Sequence, residues 1–172
     1  MLSARPNPPS PELADRLLAW AREAALDPAL GRHLQLDPEA RTWTRIDTPE
    51  DREAWLIGWP PGTRTGWHDH GGARGAFTVL RGALEELTPA AGRGPDLEGD
   101  IALPPGGPHR RELTAGEGRA FGPRHVHDVL NTGSVHAVSL HLYAPALPLM
   151  RRFEPYGGVL RLVEVERAGA WA

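Results

Sequence analysis

The sequence predicts a mainly β fold: a small jelly-roll barrel of short antiparallel strands, preceded by α-helices. Three observations carry that expectation. Twenty glycines and eighteen prolines punctuate a chain of 172 residues, favouring short strands between turns over long helices. From residue 41 onward the segments between turns are rich in aromatic or branched residues. The first 40 residues have another texture, with apolar positions at helical spacing.

Residues 1–10 (MLSARPNPPS) are proline-rich and read as a flexible arm. Ser10 then offers a helix cap and Pro11 a first helical residue. Leu13, Leu17, Trp20, Ala21 and Ala24 would form one buried stripe. Asp27-Pro28 ends that helix, because proline disfavours helix in the residue before it. A second short helix is expected over 29–36, ahead of Asp37-Pro38. Residues 11–40 would pack as helices on a barrel formed by 41–172, the whole being one domain.

Within the barrel, strands are expected over 41–46, 54–59, 66–70 and 76–81, with Gly82 as a tight turn into 83–87. Residues 88–108 read as a long surface loop. Strands resume over 109–113, 118–121, 125–130, 135–143 and 159–165. No internal repeat is evident.

Composition excludes several functions. Net charge is −3, all 19 basic residues are arginine, and no positive run suggests nucleic acid or an anionic membrane. With no cysteine there is no disulfide and no thiol nucleophile, and any metal must be held by imidazole or oxygen. There is neither an apolar stretch near 18 residues nor a charged-plus-apolar leader, so a cytoplasmic protein is expected.

The chain is organised around Trp67-His68-Asp69-His70-Gly71-Gly72. On an extended strand His68 and His70 share a face, about 6–7 Å apart at the backbone, so both imidazoles can reach one metal ion while Asp69 points away. The spacing around them resembles the first cupin motif: Gly62, five residues, His68, one residue, His70, then Gly75 and Gly82 with six residues between. A cupin usually has a glutamate ligand where Gly75 stands. Counting eleven residues from Gly116, as the second cupin motif does, lands on His127, with Asn131 after the required gap. His125 lies on the same face and competes for that role; spacing prefers His127. Three neutral imidazoles leave the full charge of a divalent ion uncompensated, which suits an anionic ligand such as a thiolate. They also leave up to three positions open on an octahedral ion. Imidazole alone does not choose among Fe, Zn, Cu and Ni.

Residues 137–145 read AVSLHLYAP. Ser139, His141 and Tyr143 alternate with Leu140, Leu142 and Ala144, so three polar side chains share one strand face and the opposite face is apolar. A buried polar row needs internal partners. The two nitrogens of His141 can bridge the flanking hydroxyls and fix the direction of the tyrosine.

With these elements together the sequence resembles cysteine dioxygenase, a cupin thiol dioxygenase. The resemblance rests on His68-Asp69-His70, on His127-Asp128-Val129 with Asn131, and above all on Ser139-Leu140-His141-Leu142-Tyr143 followed by Ala144-Pro145, in matching order over roughly residues 41–150. It implies one Fe(II) per chain on His68, His70 and His127, with oxidation of L-cysteine by O2 to cysteine sulfinic acid. Tyr143 would stand beside the iron, supported by Ser139 and His141. The family binds the substrate carboxylate with an arginine upstream of the first metal histidine. Trp43-Thr44-Arg45 makes Arg45 the match, with Arg64 as the rival; a guanidinium fork can take both carboxylate oxygens. The animal enzymes crosslink the strand tyrosine to a cysteine where Gly75 stands here, so Tyr143 is expected to be an unmodified phenol, as in bacterial members.

Other readings compete. One is oxidation of another small thiol acid such as 3-mercaptopropionate, against which Arg45 argues. A second is a Zn or Mn cupin isomerase or hydrolase, and a third a non-enzymatic ligand-binding cupin. The expected partners are a small thiol and O2, with no nucleic acid or membrane, in a monomer or weak homo-oligomer.

Overall fold

The apolar stripe of the first helix and the apolar face of the strand at 137–144 meet in one hydrophobic cluster. In a computed structural model, which describes residues 12–49, 51–89 and 99–170, helix α1 runs Glu12–Ala24 and buries Leu17 and Ala21. The expected arm at 1–10 and the Ser10 cap lie outside the described residues. Instead of a second helix over 29–36, a 3-10 turn forms at Leu30–His33. Asp27 Oδ1 accepts the Ala29 N–H (2.8 Å) on one side, and Asp37 Oδ1 caps Glu39 and Ala40 on the other. Too few residues remain between these two turns to propagate an α-helix.

Twelve strands follow among the described residues: β1 (Thr42–Ile46), β2 (Glu53–Trp59), β3 (Trp67–His68), β4 (Arg74–Arg81), β5 (Ala83–Thr88), β6 (Ile101–Ala102), β7 (His109–Thr114), β8 (Gly118–Phe121), β9 (Asp128–Leu130), β10 (Ala137–Ala144), β11 (Leu149–Tyr156) and β12 (Val159–Arg167). They pair antiparallel in three sheets, ordered β1-β2-β10-β4-β8, β3-β11-β12-β6 and β7-β5-β9. Gly82, at φ 75°, makes the turn between β4 and β5 in a conformation that side chains other than glycine rarely adopt. No helix among the described residues is long and apolar enough to cross a membrane.

Strand β10 is central and two-faced. Leu140, Leu142 and Ala144 pack with Leu17, Ala21, Leu56 and Ala76 in one cluster. Each buried leucine there contributes about 1.5–3 kcal/mol, enough to specify the register. The other face turns Ser139, His141 and Tyr143 inward, toward a second cluster that includes Trp55, Trp59, Phe77 and Phe121.

The structure corrects several expected boundaries. Strand β11 was not legible: Arg151-Arg152 and Pro155 interrupt its pattern, and its extended form comes from pairing with β12 and β3. Strand β6 lies inside the expected 88–108 loop, of which 90–98 fall outside the described residues. His125 precedes β9 rather than lying in a strand, and β10 starts at Ala137. Asn131 holds the segment between them as a loop, its Nδ2 donating to the Val135 carbonyl (2.8 Å) and its Oδ1 accepting from the Gly133 N–H (2.9 Å).

Candidate metal centre

His68 and His127 lie opposite each other in a two-residue antiparallel bridge. The His68 N–H donates to the His127 carbonyl (2.9 Å) and the His127 N–H to that of His68 (3.1 Å). His70 follows just beyond the end of β3. Ring centroids are 5.0 Å apart for His68–His70, 4.7 Å for His68–His127 and 4.9 Å for His70–His127. One nitrogen from each ring lies within 4.8 Å of those of the other two.

Partners of the remaining nitrogens set which atoms face the centre. His68 Nδ1 is 2.9 Å from the Gly66 carbonyl, which can only accept, so that nitrogen carries the proton and Nε2 is left as a lone pair. His127 Nδ1 donates to Glu86 Oε1 at 2.8 Å, with the same consequence. Both nitrogens of His70 are buried without any hydrogen-bond partner. A buried polar atom left so costs about 1–3 kcal/mol, which a metal bond would recover. Burial also keeps the three rings neutral, as ligands must be: it pushes His68 down to about 3 and holds His70 and His127 well below the ordinary imidazole range. The donor set therefore fits a divalent transition metal, with no carboxylate in its first layer.

Glu86 on β5 organises the back of the centre. It is fully buried; Oε1 accepts from His127 Nδ1 and lies 2.9 Å from His125 Nε2, while Oε2 accepts from Arg119 Nη1 at 2.8 Å. Glu86, His125 and His127 also form a compact cluster of possible ligands. Arg119 beside the carboxylate opposes a second cation there, so His125 acts as a partner of Glu86. Of the two, His127 is the one whose ligand nitrogen clusters with those of His68 and His70, the His125 ring lying 6.4 Å from that of His70. Asp69 points away as its alternation requires: Oδ2 accepts from Arg151 Nη1 (2.7 Å) and Oδ1 from the Arg151 and Gly71 N–H groups. The loop between the two histidines is thereby tied to β11.

On β10, Ser139 Oγ lies 2.8 Å from His141 Nε2, and His141 Nδ1 3.5 Å from the Tyr143 hydroxyl. The Tyr143 ring stacks on His70 with centroids 5.2 Å apart. Burial pushes the Tyr143 phenol well above its ordinary range and His141 down to about 3, so both are neutral near pH 7.

A cavity of about 120 Å³ adjoins this arrangement, lined by His68, His127, His141 and Tyr143 and also by Arg41 and Arg152. That volume suits a molecule well below drug size. Arg152 is committed to Glu166 (3.0 Å from Nε) and the Thr65 carbonyl (3.1 Å from Nη1). Arg41 is held differently. Its guanidinium sits 5.2 Å from the Trp59 ring centroid and has no ion pair among the described residues; burial pulls its pKa down. Arg45 stands exposed on β1, paired across from Trp55 and outside the cavity lining. Arg64 is half exposed and ion-paired to Asp128.

The residues that sequence reasoning missed are Glu86, Arg119, Trp59, Phe121 and Arg41. Glu86 carried one legible signal, an acid in step with Leu84 on the inward face of β5. The others contribute by contacts across sheets, which period-2 patterning does not encode.

The sequence profile described as Cysteine dioxygenase type I matches residues 16–155. No curated protein matches in a sequence search. Among solved structures, TT1209 from Thermus thermophilus has 20% identity and a TM-score of 0.52, covering 68% of this chain and 94% of its own. An uncharacterized protein with a double-stranded beta-helix domain from Klebsiella pneumoniae has 18% identity and a TM-score of 0.51, covering 66% and 80%. An oxalate oxidase has 18% identity and a TM-score of 0.50, covering 66% and 55%. At these identities the neighbours speak for the double-stranded β-helix fold alone. The profile match speaks for more: running from within α1 almost to the end of β11, it makes this chain a member of the cysteine dioxygenase type I family, a cupin thiol dioxygenase.

Proposed function

We propose that the protein oxidises L-cysteine to cysteine sulfinic acid with Fe(II) held by His68, His70 and His127. The observation that carries this reading is the neutral three-histidine cluster, with both nitrogens of His70 unpartnered, stacked directly on the tyrosine of a Ser-His-Tyr row. The overall reaction, R–SH + O2 → R–SO2H, places both oxygen atoms on sulfur. Sulfur is oxidised by four electrons and dioxygen is reduced by four. Iron bound to the three imidazoles would supply a shared site for thiolate and dioxygen and a route for electrons between them; the uncompensated charge suits an anionic sulfur.

The chain's own groups do the rest. Tyr143, kept protonated by burial, offers a hydroxyl to the reacting sulfur or oxygen atoms, and Ser139 and His141 hold it in place. The substrate carboxylate is assigned to an arginine at the β1 side of the cavity. Arg45 is the residue that the family resemblance indicates. Arg41 has the supporting environment: it lines the cavity, is largely removed from water and makes no close ion pair among the described residues, its nearest charge influences being Arg152 and Asp128. Leu147 and Met150 add apolar surface to the cavity lining.

Oxygen uptake by the iron-loaded protein, with cysteine and 3-mercaptopropionate as competing substrates, tests the proposal. Sulfinate formed faster from cysteine, in step with iron content, is the expected result. Tightly bound zinc or manganese, with no iron-dependent uptake on either thiol, would overturn it in favour of a cupin isomerase or hydrolase. Binding of a thiol acid without turnover would instead indicate a ligand-binding cupin.

A further inference from the structure

We propose that Trp59 sets the direction of the hydrogen-bond row ending at Tyr143, and so decides that the tyrosine's proton points into the cavity. The indole Nε1–H of Trp59 lies 2.8 Å from Ser139 Oγ. An indole nitrogen can only donate, so Ser139 must accept there. The Ser139 hydroxyl proton then needs an acceptor, and the one within reach among the described residues is His141 Nε2, at 2.8 Å. A neutral imidazole that accepts at Nε2 carries its proton on Nδ1. His141 Nδ1 is the atom facing the Tyr143 hydroxyl, at 3.5 Å, so it donates to the phenolic oxygen. Tyr143 is thereby left with its own proton free to be given elsewhere, on the side of the cavity that it lines.

The reverse direction fails at one atom. If His141 carried its proton on Nε2, Ser139 would receive two donors and its own buried proton would have no partner. Tyr143 would then donate back to His141 rather than into the cavity. Trp59 is itself immobilised: it is fully buried, its carbonyl accepts from Asn131 Nδ2 (2.8 Å), and its ring lies 6.1 Å from that of His141. A phenylalanine could fill most of this space but could not donate. Trp59 is a positioning residue that acts through Ser139 and His141; it does not reach the metal ligands.

The consequence for turnover rests on the proposed function, whereas the tautomer does not, and the test separates them. The full-length chain, metal-free and with ¹⁵N-labelled histidine, is examined by NMR, with the His141 signal identified by its loss in His141→Gln. In the parent, His141 is expected as a single tautomer protonated on Nδ1. Trp59→Phe releases Ser139 to accept from His141, and a substantial Nε2–H population is expected. Ser139→Ala leaves the indole packing intact while cutting the same link, and is expected to remove the single-tautomer preference too. In the iron-loaded protein, both variants should lower kcat at least about tenfold with KM little changed, since the group misdirected is Tyr143 and not a substrate contact. An indole that merely packs would shift melting temperature and leave the tautomer alone. An Nε2–H tautomer in the parent, or an unchanged Nδ1–H tautomer in whichever variant folds, would overturn the inference. Absence of thiol oxidation in the parent, with the tautomer pattern as expected, would overturn the dioxygenase assignment and leave the role of Trp59 standing.

Discussion

The ring of Phe121 fills the space into which a side chain at position 75 would extend. The two residues are paired across β4 and β8, and a Cβ added to Gly75 would collide with the Phe121 ring and lie 2.9 Å from the Leu142 carbonyl oxygen. Gly75 also pairs with Tyr143 across β4 and β10. Any side chain at position 75, carboxylate or thiol, would have to displace that ring. Phe121 takes the volume and presents its face to His70 (centroids 4.6 Å) and His125 (4.7 Å).

Substitution at this pair follows directly. Gly75→Ala is expected to destabilise the protein by about 1–3 kcal/mol through overpacking. Gly75→Cys should do the same and form no bond to Tyr143. Trimming the ring, as in Gly75→Ala with Phe121→Leu, should recover part of the loss. Thermal unfolding of the single and double variants checks the non-additivity that direct contact requires.

Glu86 holds His127 and, through Arg119, is itself held. Glu86→Gln preserves the shape but puts an amide where two imidazole nitrogens and a guanidinium expect anionic oxygens. Metal affinity, measured by competition with a chelator, is expected to fall about 10–100-fold. Arg119→Leu should loosen the same carboxylate and produce a smaller loss.

Stability of the metal-free protein should fall in acid. Burial depresses the pKa of His68, His70, His127 and His141 in the folded chain, with His68 and His141 brought from 6.5 to about 3. Between those values the unfolded chain binds more protons than the folded one. Stability is therefore fully present above about pH 6.5 and is lost as pH falls toward 3, at up to about 1.4 kcal/mol per pH unit for each such histidine. Urea midpoints at successive pH values test this; a midpoint flat from pH 7 to 4 would contradict it. Bound metal should oppose the loss until protons displace it.

The two arginine assignments separate kinetically. If Arg41 holds the substrate carboxylate, Arg41→Gln should raise KM for cysteine by about tenfold or more, with a smaller effect for cysteamine, which lacks the carboxylate. Arg45→Gln should then leave KM nearly unchanged. The opposite ranking would assign the role to Arg45.

Tyr143→Phe keeps the ring stacked on His70 and removes only the hydroxyl. Cysteine oxidation is expected to fall about 100-fold or more, with metal content unchanged. Retention of parental kcat would remove Tyr143 from the chemistry.

Local spacing made much of this protein legible. Period-2 alternation at 137–144 put Ser139, His141 and Tyr143 on one face and the leucines on the other, because a strand between a helix and an interior has no third environment to offer. The glycine-framed positions of His68, His70 and His127 singled out three imidazoles that the fold does bring together as candidate ligands, since alternate residues of a strand share a face and the motif register supplies the third. Tertiary structure decided what spacing does not encode. Strand β11, with its arginine pair and proline, became extended only by pairing with β3 and β12. His127, and not His125, is bridged to His68, while Glu86 arrives from another strand and meets both imidazoles. Trp59 and Phe121 gained their roles from neighbours distant in the chain. Which groups meet inside a barrel depends on strand order and register, and those arise from the packing of the whole interior rather than from any one segment.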